Sequence, residues 1–399
     1  MLRSLFSGVS GLRAHQTMLD VVGNNIANIN TAGYKSSQAV FEDTLSQMLR
    51  SAGAPQGGVG GTNPAQVGLG VRLAGIFTNF GQGASQTTGR ATDLAIQGDG
   101  FFAVRNGGEV DYTRAGDFSF DQDGTFVTPD GSVVQGWLAG AGGAINTNAT
   151  PGDLKIPLGA SLPPVQTTTS TLAGNLDAGA AVGGGVTASI TMYDAQGKPD
   201  AVKFVFSNTG PNAWNLQPVD GNGTNLGSPI ALTFNTSGQL TSPTPASVTI
   251  NGVPVAVDLS GLTQFGGQTT AGATAQNGSP QGSLASFTIS QDGTLVGVFS
   301  NGLKQALGQV ALASFTNPPG LEKVGNSLYR STVNSGNPQI GTATSGGRGS
   351  LASGTLEMSN VDLGQEFTQM IVAQRGFEAN AKVITASDEV LQDLVNLKR

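Results

Sequence analysis

Three groups of residues in this sequence have types and spacings that could do chemistry. Gly98-Asp99-Gly100-Phe101-Phe102-Ala103 has the glycine spacing that brings a backbone close to a dinucleotide pyrophosphate. That chemistry needs a helix N-terminus directly after the glycines, whereas Phe101-Phe102-Ala103-Val104 reads on as a strand. Asp121-Gln122-Asp123-Gly124 suggests a calcium loop, but the glycine comes too early and no glutamate closes the ring, so a hairpin turn is expected. The pairs Asp111/Asp117 and Asp121/Asp123 are the carboxylates a glycosidase would need, and both sit among turn signals.

The remaining chemistry is scarce. There is no cysteine, which excludes disulfides, thiolate metal sites and cysteine nucleophiles. His15 is the only histidine, so a zinc site or a histidine-based triad has no partners, and a packing or interface role is expected for it. Nineteen basic against 26 acidic residues give a net charge of −7 and leave no basic surface for nucleic acid. No cofactor or metal, and no catalytic role, is expected.

The elements that position these residues divide by proline. Every proline lies between Pro55 and Pro338, which leaves both ends free to be long helices. Leu5, Leu12, Leu19 and Ile26 recur at spacing seven, with Val9, Val22 and Ile29 beside them, and predict an amphipathic helix of about 25 residues stopping at Asn30-Thr31-Ala32-Gly33. Leu363, Met370, Phe377, Ile384 and Leu391 repeat the spacing at the other end, with Phe367, Ala381 and Val395 on the alternate seam. A short helix is also expected through Phe41, Leu45, Met48 and Leu49.

Between these arms the apolar period becomes two, punctuated by turns such as Asp130-Gly131, Asn251-Gly252 and Asp292-Gly293. Sixty glycines without a three-residue period fit an all-β body. The expected fold is mainly β with a terminal α-helical coiled coil and nested, discontinuous antiparallel β domains. Residues 1–30 and 358–399 form the coiled coil, and 31–70 connect it through the short helix and a Gly-rich loop. Residues 71–145 and 285–357 form a first β domain, and 146–284 an inserted outer one. The arms need a partner, because an isolated amphipathic helix is marginal in water. Each can serve the other, and the seam left over is an assembly surface. No run is apolar enough for a secretory signal or a membrane span, so neither is expected.

The arms also carry a resemblance. Ser10-Gly11-Leu12, Leu19 to Asn28 (with Asn24, Asn25 and Asn28), and Asn30-Thr31-Ala32-Gly33-Tyr34-Lys35 resemble the N-terminal signature of the bacterial flagellar rod and hook axial proteins. Gly354-Thr355-Leu356-Glu357, Ser359 to Leu363, Met370 to Arg375 and Leu394 to Leu397 resemble the same family, as do Tyr112 to Phe118 and Gly100-Phe101-Phe102. The inserted β domain is similar to hook-type members; a distal rod protein, or an exported β-rich adhesin, is the alternative. The resemblance implies a structural subunit exported without a cleaved signal peptide to the extracellular flagellum. There it would polymerise with itself into a flexible tubular universal joint carrying torque from rod to filament. Distal rod, hook cap and hook-filament junction proteins would be its neighbours, with neither nucleic acid nor membrane as partner.

Overall fold

The computed structural model describes residues 2–396 apart from 56, 59, 157, 158, 160, 244 and 251. Asn251 and Leu397, read above as a turn and as part of the C-terminal match, lie outside the described residues. The chain divides into two compact units, one of residues 1–157, 288–296 and 306–399, the other of 158–287 and 297–305.

The first unit opens with α1 (Leu2–Ala27), which stops where Asn28 turns its amide back onto the Asn24 carbonyl at 2.9 Å. The chain then makes β1 (Ser37–Asp43) and β2 (Ser46–Arg50), paired with β3 (Ala65–Gly68) and β4 (Val71–Thr78). Ser37 faces Thr78, Ser46 faces Gly68 and Gly53 bridges Thr62, so this is one long antiparallel hairpin. The helix expected through Phe41, Leu45, Met48 and Leu49 is therefore not formed. Those residues match a helical face by spacing, but the returning strands β3 and β4 supply ladder partners to Phe41 and Met48, with Leu45 in the gap between β1 and β2, and this pairing outweighs a weak local preference. The Gly-rich loop is the hairpin's tip.

Beyond the hairpin, strands from distant parts of the chain interleave. Leu94–Gln97 pairs with Ser350–Ser353, and Ser85–Thr87 with Thr355–Glu357. Phe101–Asn106 lies between Val133–Leu138 and Glu109–Thr113 in an antiparallel sheet. The apolar run 101–104 is wholly buried, and the Phe102 ring meets Phe118 edge to face at 5.0 Å. Residues 146–157, expected with the insert, belong here instead: Gly152–Asp153 pairs with Val133–Leu138, and Leu154 and Ile156 are buried. Pro151 and Gly152 resemble a linker locally, but the two apolar side chains after them fill this core.

The second unit holds a five-stranded sheet that includes Pro199–Gly210 and Ala213–Asp220, and a four-stranded sheet. Alternate side chains of both, among them Phe204, Phe206, Trp214, Val257 and Leu262, share one core. One pairing departs from the antiparallel expectation: Thr169–Asp177 runs parallel to Val253–Phe265. Its own antiparallel neighbour, Gly272–Gln276, occupies the other edge. Strands this far apart in sequence are free of the hairpin constraint that forces antiparallel pairing. The first unit closes with α2 (Leu363–Asn396), started by the Asp362 carboxylate, which accepts from the Gly364 amide at 2.8 Å.

Candidate assembly site

The two terminal helices lie antiparallel in one unbroken register. Ser4 and Ser387 hydroxyls are 3.5 Å apart at one end, and the Asn25 amide donates to Glu366 Oε1 at 3.0 Å at the other. Between them the contact line is made of small residues. A Cβ on Gly11 would stand 2.6 Å from Asn380 Oδ1, and one on Gly376 would stand 2.4 Å from the His15 ring. Each helix thus drops a polar side chain into a glycine notch of the other, and buried Val22 and Ala373 continue the line.

The heptad residues flank this line. Leu5, Leu12, Leu19 and Ile26 are half-buried on α1, as are Met370, Ile384 and Leu391 on α2. Leu363, Phe367 and Phe377 are exposed. Sequence periodicity located the helices but missed the face of closest approach, which goes to the side chains small enough to let two backbones meet. The pair Gly8 and Gly11 on one helix face was the available signal. His15 has a packing position, with its ring 6.3 Å from Phe41 of β1 on one side and over Gly376 on the other.

The motif after α1 folds into a clasp. Tyr34 donates its hydroxyl to the side-chain oxygens of Asn24 and Asn25, both at 3.1 Å. Asn25 also exchanges two bonds with the Ser37 backbone, at 2.7 and 3.0 Å, and Asn28 accepts from Thr31. Asn30 is exposed. Gly33 has φ +67, and a Cβ there would lie 2.3 Å from the Ala115 backbone nitrogen, so only glycine fits. Burial pushes the Tyr34 phenol up, with nearby Glu366 adding to it. Burial likewise raises Glu366, whose Oε2 is buried without a hydrogen-bond partner; the Asn25 bond opposes the shift.

Directly after the clasp lies a buried charge cluster. Lys35 Nζ donates to Glu357 Oε1 at 2.6 Å and to the Gly81 carbonyl at 2.8 Å. Arg114 Nη1 reaches Glu357 Oε2 at 3.3 Å, and its guanidinium lies 5.2 Å over the Phe101 ring. Burial lowers the Lys35 and Arg114 pKa values, opposed in both by Glu357. The Glu357 carbonyl accepts from Gly33, and Asn360 ties the Ser36 amide to the Asn79 carbonyl, so the outgoing and returning chain are fastened together here. Sequence matching picked out Lys35 and Glu357 separately; nothing in one sequence says that they meet.

The sites that suggested chemistry resolve into turns. Gly98 and Gly100, at φ +106 and +130, lead straight into the strand Phe101–Asn106. Asp121 accepts from the Asp123 and Thr125 amides, which hold its carboxyl below the usual range. Asp111 pairs with Arg330 at 3.0 Å, while burial raises Asp117. Among the described residues no cluster of three metal-ligating side chains occurs, and no helix is long and apolar enough to cross a membrane.

What the first unit does present is apolar surface. Ile371 and Val372 on α2 are 58% and 56% exposed, and Leu45 in the hairpin 83%. A surface of this kind marks an interaction site. Residues 5–35 match the family profile described as flagella basal body rod protein, and 352–397 the C-terminal profile of flagellar basal body rod FlgEFG proteins. Residues 95–170 match the flagellar hook protein FlgE/F/G D1 domain and 166–279 the flagellar basal body protein FlaE D2 domain. The flagellar hook protein FlgE of Treponema pallidum is 39% identical, with both chains covered in full.

The chain belongs to the flagellar hook protein FlgE family. The flagellar basal-body rod protein FlgG of Bacillus subtilis is 35% identical over the full length of both chains, so the likeness extends to rod proteins. The crystal structure of the Helicobacter pylori flagellar hook protein FlgE2 superposes with a TM-score of 0.52 at 16% identity, over 68% of this chain and all of that one, a likeness of fold. The basal body rod profile falls on α1 with its clasp, and the FlgEFG C-terminal profile on the stretch from Ala352 through α2.

Proposed function

We propose that this chain is the building block of an extracellular flagellar hook, polymerising with its own copies through the terminal helices and hairpin. The observation that carries the reading is the apolar surface of α2: 34 residues long, it rests on α1 along a narrow line and keeps Phe367, Ile371, Val372, Val383 and Val390 in water. Burying such side chains stabilises an assembly by about 1.5–3 kcal/mol each as an upper bound. If each copy offers one face and receives another, the contact is heterologous, and repeating it builds an open helical tube.

The function is then mechanical and involves no catalysis. The assembly seam comprises Leu5, Leu12, Leu19 and Ile26 with Leu363, Phe367, Met370, Phe377, Ile384 and Leu391. The β units carry few charges and many Gly, Thr, Ser and Asn residues, which suits weak contacts that slide as the tube bends while it transmits torque. Family resemblance supplies the end neighbours: a distal rod protein below, a hook cap during growth and a hook-filament junction protein above.

A second reading, distal rod subunit, is favoured by the full-length Bacillus subtilis FlgG likeness. Electron microscopy of basal bodies from a strain lacking this chain tests both. Complete rods without hooks are expected; truncated rods would select the rod reading, and normal hooks would refute both.

A further inference from the structure

α2 carries a second apolar stripe that nothing in its own first unit covers. Val372, Ala379, Val383, Ala386 and Val390 recur at heptad spacing, turned around the helix from the line that meets α1, and all five are exposed. In the C-terminal half of this stripe Glu389 and Asp393 stand beside Val390, with Lys382 the one cation of that half among the described residues and none in the last turn. Carboxylates at the negative end of a helix are unfavourably placed unless a cation answers them.

On the far side of α1 lies a matching surface. A groove of about 390 Å³ runs between α1 and β4, with Phe6, Val9, Val71 and Leu73 as its apolar walls. Arg13 and Arg72 edge it. Arg72 is paired with Glu42 at 2.6 Å, but Arg13 forms no ion pair among the described residues, and neither do Glu389 and Asp393. Groove and stripe cannot meet within one copy, because α1 presents the groove on the face opposite to the one that α2 covers: Phe6, Val9 and Arg13 point away from Ser4, Gly8 and Gly11.

We propose that the groove between α1 and β4 receives the acidic half of the α2 stripe of a second copy, with Arg13 answering Glu389 and Asp393. The proposal rests on the polymer reading above and assigns it a direction: each copy donates α2 to one neighbour and accepts α2 from another. The contact is apolar at its centre and charged at its rim. Charge then selects the register and the partner face, while burial supplies the affinity.

The absence of native cysteine makes the test direct. Full-length Val9→Cys and Val390→Cys chains, each checked for native helicity by circular dichroism, are mixed under polymerising conditions and oxidised with copper-phenanthroline. Mixed dimers are expected to exceed either homodimer by about tenfold, because the contact raises the effective concentration of those two thiols. In parallel, Arg13→Glu should slow elongation by about tenfold, and adding Glu389→Arg to the same chain should restore it. If the unaltered chain elongates but the thiols pair at random, or the double charge variant is no better than the single, this docking is overturned and the polymer reading stands. If the unaltered chain never elongates, the polymer reading falls first.

Discussion

Lys35 Nζ and Glu357 Oε1 meet at 2.6 Å with both side chains fully withdrawn from solvent, across 322 positions of sequence. The pair marks the point where the chain leaves the helical arms and comes back to them. Glu357 also holds buried Arg114, so removing the carboxylate strands two cations, and Glu357→Gln should destabilise the first unit by about 3–5 kcal/mol. Lys35→Met alone should cost less, because it leaves the buried Arg114–Glu357 pair intact. The chain has two tryptophans, Trp137 in the first unit and Trp214 in the second, so urea unfolding in a Trp214→Phe background reads the first unit alone.

Gly33→Ala tests the clasp. The left-handed backbone costs about 1–3 kcal/mol for a residue with a Cβ, and the overlap with Ala115 adds to it. The same fluorescence assay should show a lower midpoint for Trp137. An unchanged midpoint would mean that the clasp rearranges freely.

Glu366 should make helix docking sensitive to pH. Its folded-state pKa is raised above the ordinary carboxylate value by burial, so the folded state holds the proton more tightly than the unfolded one. Its contribution is present below the unfolded value and is lost as pH rises through the raised folded value. Glu366→Gln should therefore flatten the pH dependence of the helical melt in the mildly acidic range, seen by circular dichroism at several pH values. Parallel profiles for the two proteins would contradict this.

The glycine notch separates packing from helix propensity. Gly23 of α1 has nothing within 4 Å of an added Cβ, so Gly23→Ala should stabilise the helices by about 0.5–1 kcal/mol through propensity. Gly376→Ala has the same propensity gain but drives a methyl into His15, and should lower the helical melting temperature.

Much of the architecture was legible in the sequence because it rests on local rules. Proline-free ends with a seven-residue apolar repeat gave α1 and α2, and the stop read at Asn30 to Gly33 lies just beyond the observed end at Ala27. Period-two runs between Asp-Gly turns gave the β body. What stayed hidden depends on distant partners. Phe41 and Met48 fit a helix until β4 and β3 return to pair with them. Leu154 and Ile156 look like linker residues until the sheet they fill is known. The contact line of Gly11 and Gly376 has no signature in the large apolar side chains, since what brings two helices together there is the absence of a side chain. Lys35 and Glu357 were visible as motif members, but their pairing belongs to the tertiary fold.

Polymerisation requires that the terminal helices carry apolar surface which only other copies cover. Elongation of purified full-length chain, followed by light scattering and negative-stain microscopy, is the direct measurement, with Leu12→Glu, Phe377→Glu and a chain lacking α2 in comparison. The account predicts tubes from the unaltered chain and none from the three variants, with the Trp214 unfolding transition unchanged in each. Tubes of normal length from the chain lacking α2 would contradict it.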